Sequence, residues 1–273
     1  MSTWLGIDFS GNHLMWRQGC TRSNVWIATV DADARMYRLR DLRAVQELPG
    51  DGTPFNRLIA LLQTDTFDAA GIDAPFSVPA TYVADGHAGL LTTVGGCPCV
   101  DRPFPCASDF LAAVAPSLPP PGKHIYRATE RYWINQGVNT RSTVWAGARG
   151  GAPMTAACLC LLHRVGKDVW PWAPAGRTPC LVEAFPAAQL KTWGLPCQQY
   201  NGRDAQARAN RQAIIEDLEQ RLLLGEFRPR LLDSADALDA VVAAFAAIAV
   251  TMNLLAGVPG AEAGREGWIA VHR

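Results

Sequence analysis

Five acidic residues of this 273-residue chain stand where their carboxylates could act together. Asp8 closes the apolar run Trp4-Leu5-Gly6-Ile7, and Asp73 closes a second copy of the same tripeptide, Gly71-Ile72-Asp73. Glu183 follows Pro179-Cys180-Leu181-Val182, and Asp236 and Asp239 lie three apart in an Ala-rich run. Taken singly, each has a structural explanation. An acid at a strand end caps the turn after it, and acids in the first turns of a helix complement its macrodipole. Their coincidence points instead to chemistry. Carboxylates converging in a low-dielectric cleft repel one another and rise in pKa unless cations sit between them. Mg²⁺ or Mn²⁺ resolves that repulsion, because hard cations take oxygen ligands, and two of them about 4 Å apart clamp the attacking and leaving oxygens of a phosphodiester.

The elements that must bring these acids together follow from the periodicity. After the strand ending at Asp8, residues 24–30 and 35–42 have the branched, aromatic and alternating content of two more strands, giving an antiparallel meander. Phe55, Leu58, Ile59 and Leu62 recur at helical spacing over 54–63, and the fourth strand ends at Asp73. A helix crossing over in that order lays the fourth strand parallel to the first, so Asp8 and Asp73 become neighbours at the strands' carboxyl ends, where ligands of open α/β sheets gather. A fifth strand over 179–185 delivers Glu183. From 77 to 151 the pattern dissolves into Gly, Pro and Cys, marked by Gly95-Gly96 and Pro119-Pro120-Pro121-Gly122; this is an insertion or lid, with short helices expected at 107–114 and 128–134. Helices are predicted at 153–165, from Pro186, over 204–224 and from Ser234 to about 255, the last presenting Asp236 and Asp239 on one face. Residues 267–271 are expected as a last strand or an extended tail against the sheet. The whole of 1–273 thus reads as a single α/β domain, a mixed five-stranded sheet flanked by helices with a large insertion after the fourth strand.

Composition bounds the partners. Lys plus Arg and Asp plus Glu number 25 each, so no overall positive field draws the chain onto nucleic acid or lipid, and a polyanion must be held by a local patch. The one basic tract interleaved with aromatics runs from Lys123 to Arg149, with Arg127, Arg131 and Arg141 among Tyr126, Tyr132, Trp133 and Trp145. Cations for phosphates and rings for bases suit a nucleic-acid groove, for which Lys123, Arg127, Arg131 and Arg141 are the candidates. The usual placement of charge runs at solvated surfaces favours the other reading, a lid whose aromatics pack on the core. No basic segment followed by an apolar run opens the chain, so a cytoplasmic protein is expected. The uncharged run 240–257 is too rich in Ala, with Thr251 and Asn253, to suit lipid, and no membrane contact is expected. Eight cysteines show no disulfide framework and are expected as free thiols. Cys97, Cys99 and Cys106 have a spacing that could ligate a metal but lack a fourth ligand at a familiar offset, although His87 and His124 lie on either side. No histidine sits beside a Ser or Cys as a triad would require.

The layout resembles the ribonuclease-H-like superfamily. More narrowly, Gly6-Ile7-Asp8, Gly71-Ile72-Asp73-Ala74-Pro75, Val182-Glu183-Ala184-Phe185-Pro186, the run Asp233 to Ala240 and Glu266-Gly267-Trp268-Ile269 resemble the successive motifs of domain of unknown function 429, described as predicted ribonuclease-H-like nucleases. The late acidic helix is also similar to that of Holliday-junction resolvases, which implies metal-binding roles for Asp236 and Asp239. The tract Tyr126-Arg127-Ala128-Thr129-Glu130-Arg131 resembles a further family motif that carries Asp where this chain has Glu130. The resemblance implies a metal-dependent nuclease acting on structured or single-stranded DNA or RNA. Asp8 would bridge two ions, Asp73 with Asp236 or Asp239 would complete the two sites, and Glu183 would hold a metal or orient water. Two other readings stand beside it. Sugar kinases and actin-like ATPases also begin with a strand ending in Asp and a Gly-containing turn, but Asp73-Ala74-Pro75 lacks their second glycine; a non-catalytic interaction protein could keep the same fold.

Overall fold

The computed structural model describes residues 2–32, 36–83, 85–116, 121–173 and 176–273. Strands β1 (Thr3–Asp8), β2 (Trp26–Ala32) and β3 (Tyr37–Ala44) form the expected antiparallel meander. Arg35, the expected start of the third strand, lies outside the described residues. Helix α1 (Pro54–Gln63) starts where Thr53 accepts a hydrogen bond from Asn56 N with Pro54 in the first turn, and it buries Phe55, Leu58, Ile59 and Leu62. It leads into β4 (Ala69–Asp73), which pairs parallel with β1. Then come α2 (Gly86–Gly95), α3 (Ala107–Val114), α4 (Ala128–Asn135) and α5 (Ala152–Val165), the last stopped by Gly166 in the left-handed region at φ 66°. Strands β5 (Asp168–Val169) and β6 (Cys180–Glu183), helices α6 (Pro186–Thr192) and α7 (Ala205–Leu218), strand β7 (Leu222–Leu223), and helices α8 (Arg228–Asp233), α9 (Ala235–Thr251) and α10 (Ala263–Glu266) complete the chain.

Among the described residues the sheet has seven strands, ordered β5-β6-β4-β1-β2-β3-β7, rather than the expected five. The two additions, β5 and β7, are two residues each, too short to leave a period in the sequence. Pairing of β7 with β3 also ends α7 at Leu218, short of the predicted 224, because Leu222 and Leu223 leave for the sheet. Residues 267–271 form the extended tail: Ala270 N donates to Glu183 O at 3.0 Å. The region 77–151 carries α2, α3 and α4, of which α2 was not foreseen. Leu90, Val94, Phe104 and Phe110 from it are buried in the same core as β1, β4 and α5. Pro119 and Pro120 of its proline run lie outside the described residues. Among the described residues no helix is long and apolar enough to cross a membrane.

Pleat alternation divides the core in two. Leu5, Ile7, Phe9, Ala70, Ile72 and Leu181 face α1 and α5, whereas Trp4, Ala28, Val30, Ala69 and Val182 face α9 and α7. Helix α9 is capped by Ser234, which accepts from Ala237 N at 3.1 Å. Its far end is tied to the start of β1, where Trp4 Nε1 donates to Thr251 Oγ1 at 2.8 Å. The helix therefore runs antiparallel to β1 and brings its first turns to the end of the strand that carries Asp8.

Candidate active site

The repeated Gly-Ile-Asp has a physical reading at each position. A Cβ at Gly6 would stand 2.0 Å from the carbonyl oxygen of Ala240, and one at Gly71 would stand 2.0 Å from that of Ala243. Only glycine lets α9, itself lined with Ala240, Ala243 and Ala244, lie this close on β1 and β4. Ile7 and Ile72 fill the opposite core. Two residues beyond each glycine, on the face that α9 covers, stand Asp8 and Asp73, paired directly across the parallel ladder. Adjacent strands are about 4.8 Å apart, so the two acids are neighbours.

Helix α9 contributes Asp236 and Asp239 to the same place. Asp8 is buried, and its carboxyl is pushed well above the ordinary range, first by burial and then by the charges of Asp239, Asp73 and Asp236. Asp73 is raised to about 7, by burial and then by Glu183, with Arg141 pulling the other way. Asp239 is raised by burial and by Asp73, although Tyr200 Oη donates to its Oδ1 at 2.8 Å and so favours the anion. Burial also raises Asp236. Burial thus raises all four carboxyls, and the charges of the neighbouring aspartates lift Asp8 and Asp239 further.

Glu183 is placed differently. It pairs in register with Ile72, not Asp73, so the pleat turns it to the α1 and α5 side of the sheet. There its Oε2 accepts from Arg127 Nη1 at 2.8 Å and from Phe76 N at 3.0 Å, and its Oε1 accepts from Arg127 Nη2. Both oxygens are engaged, so Glu183 is not a free ligand.

Arg127, expected on a nucleic-acid surface, is fully buried. Its Nε donates to Glu130 Oε1 at 2.7 Å, its Nη1 to Glu266 O at 3.1 Å, and Glu130 reaches back to Arg127 N at 2.7 Å. Burial works against the guanidinium's charge, but Glu130 and Glu183 outweigh it and hold the group firmly protonated. Glu130 is accordingly a partner of Arg127, and the pair anchors the start of α4 to β6 and the C-terminal tail. Lys123, Arg131 and Arg141 are exposed, as a surface role requires, and Arg131 also bonds Tyr126 O. Tyr200, in the loop before α7, is the site residue that the sequence did not signal: a lone tyrosine among polar residues carries no pattern.

The donor set suits a hard divalent cation by its chemistry, being carboxylate oxygen with little positive charge nearby. Among the described residues, however, no group of three or more His, Cys, Asp or Glu side chains is spaced to hold a metal ion as it stands. This covers Cys97, Cys99 and Cys106 as well as the acids. His87, one of the two flanking histidines, is instead stacked on Trp172, ring centroids 3.5 Å apart, with its Nε2 at 2.8 Å from Phe76 O.

Residues 6–263 match the model of the family described as Protein of unknown function (DUF429). The chain belongs to the DUF429 family. No curated protein and no solved structure matches it. In this DUF429 protein, the matched span contains all five acids, Tyr200 and the Arg127–Glu130 pair.

Proposed function

We propose that this DUF429 protein is a divalent-cation-dependent hydrolase of nucleic-acid phosphodiesters built on a ribonuclease-H-like fold. The observation that carries this reading is the in-register pair Asp8 and Asp73 on neighbouring parallel strands, with Asp236 and Asp239 of α9 brought to the same place and all four carboxyls raised in pKa. The central order β3-β2-β1-β4-β6, antiparallel through the first three and parallel beyond, supports the fold assignment.

Asp8, Asp73, Asp236 and Asp239 are the groups that would hold Mg²⁺ or Mn²⁺. When bound, such an ion polarises a phosphoryl oxygen and makes a bound water more acidic. The chain's own residues do the positioning. Gly6 and Gly71 set the depth of α9 over the strands, Tyr200 donates a hydrogen bond that orients Asp239, and the Arg127–Glu183 pair ties the start of α4 to the end of β6. Lys123, Arg131 and Arg141 remain the candidates for contact with a DNA or RNA backbone. A reducing cytoplasmic setting accords with eight cysteines, none of which is bonded to another.

The test is incubation of purified protein with structured and single-stranded DNA and RNA, with Mg²⁺ or Mn²⁺, beside an Asp8→Asn control. Cation-dependent cleavage that disappears in the variant is the expected result. Cleavage that survives the substitution, or none with any of the four substrates, overturns the proposal.

A further inference from the structure

A cavity lies outside the acidic cleft. It measures about 910 Å³, within the range of small-ligand sites, and is bordered by the short helical turn His13–Trp16, the start of α1, the loop between α2 and α3, and the end of α5. Three arginines line it, Arg17, Arg102 and Arg164, with His13 and His163 beside them and a single carboxylate, Asp101. With both histidines neutral, this leaves an excess of two formal positive charges.

None of the three arginines is paired with a carboxylate among the described residues. Elsewhere Arg43, Arg208, Arg221, Arg228 and Arg265 each meet a carboxylate. The guanidiniums of Arg17 and Arg102 have no side-chain partner among the described residues. Arg164 is oriented without being neutralised: its Nη2 donates to Asn56 Oδ1 at 3.0 Å, and its guanidinium lies 5.6 Å from the centroid of the Phe55 ring. The first turn of α1, through Thr53, Pro54 and Asn56, adds the positive end of a ten-residue helix to the same wall.

We infer that this cavity binds a phosphate group, held by Arg17, Arg102 and Arg164. Guanidinium forks match phosphate oxygens in pairs, and an excess of two charges matches the near-dianion of a phosphate monoester at neutral pH. The cavity shares no residue with the acidic cleft, so the assignment stands apart from the hydrolase reading.

The probe is inorganic phosphate, titrated by calorimetry into the full chain at constant ionic strength, with chloride as the competing anion. Saturable binding is expected, weakened at least tenfold in the double variant Arg17→Ala/Arg102→Ala. Both side chains are exposed and without side-chain partners, so the fold tolerates their loss. Asp101→Asn removes the opposing carboxylate and is expected to tighten binding; Asp101 has φ 56°, which Asn tolerates. Lys191→Ala, on exposed surface away from the cavity, is expected to leave affinity unchanged. A second arm competes phosphate with a nucleoside monophosphate and with a single-stranded oligonucleotide lacking terminal phosphates. Displacement by the former alone supports a free phosphate ester as occupant, and displacement by the latter supports a strand backbone. No saturable binding, or equal affinity in the double variant and the native chain, overturns the assignment.

Discussion

Replacing Asp73 by Asn tests the electrostatics of the cleft most directly. The Asp73 carboxyl is raised from 3.8 to about 7. Between those two values the folded protein keeps a proton that the unfolded chain has released, so stability falls as pH rises through that window and is level above it. The full interval amounts to at most about 4 kcal/mol, at 1.36 kcal/mol per tenfold change. Asparagine is nearly isosteric and does not titrate. In the presence of a chelator, Asp73→Asn is therefore expected to match the native protein near pH 4 and to exceed it by roughly 2–4 kcal/mol at pH 8. The lower figure allows for the coupled titration of Asp8 and Asp239, which ionise more readily once Asp73 is neutral. Denaturant unfolding at fixed ionic strength across pH 4–8 gives the difference curve. Added Mg²⁺ or Mn²⁺ at pH 8 is expected to stabilise the native protein and to do little for the variant. A variant less stable than the native chain at pH 8 without metal, or a difference that ignores pH, would show that burial and Glu183 do not hold the Asp73 carboxyl above its ordinary range.

Substitutions at three other positions probe the supports of the site. Gly71→Ala drives a Cβ to 2.0 Å from the Ala243 carbonyl oxygen and is expected to cost about 3 kcal/mol or more by displacing α9, read as a fall in melting temperature. A melting temperature equal to that of the native protein would mean that α9 does not lie this close. Arg127→Met strands Glu130 and Glu183 in the interior and is expected to cost about 3–5 kcal/mol. Arg127→Lys should recover little of this, since one ammonium cannot reproduce the fork to both carboxylates, and full recovery in denaturant unfolding would contradict the geometry. Tyr200→Phe removes the hydrogen bond that favours ionised Asp239, so the Asp239 carboxyl is expected to titrate still higher by carbon-13 NMR; a downward movement would refute the role given to Tyr200.

The frame that carries the site was legible because its signals are local. Thr53-Pro54 and the spacing of Phe55, Leu58, Ile59 and Leu62 mark α1 at the bounds observed, and the branched and aromatic content of β2 with the half-exposed pattern of β3 marks the meander. Helix α2 was invisible for an equally local reason. Its sequence Gly-His-Ala-Gly-Leu-Leu-Thr-Thr-Val-Gly carries three glycines and two threonines, so propensity argues against it, and packing of Leu90 and Val94 on α5 decides instead. Strands β5 and β7 exist only because longer strands offer them an edge.

The position of Glu183 shows where local reading ends. In sequence Asp8, Asp73 and Glu183 are equivalent, each the last residue of a short apolar run before a turn. What separates them is the register of two ladders: Asp8 opposes Asp73, while Glu183 opposes Ile72. Because side chains alternate at every residue, that offset of one sends the third acid through the sheet to the opposite face. A carboxylate buried there needs a counter-charge, and Arg127 of the 77–151 region is the cation that supplies it. The same arginine is therefore unavailable to a phosphate backbone, although its neighbours Lys123 and Arg131 are exposed. One long-range register thus fixes both departures from the sequence expectation, a metal ligand that became an ion-pair partner and a surface cation that became its buried counter-charge.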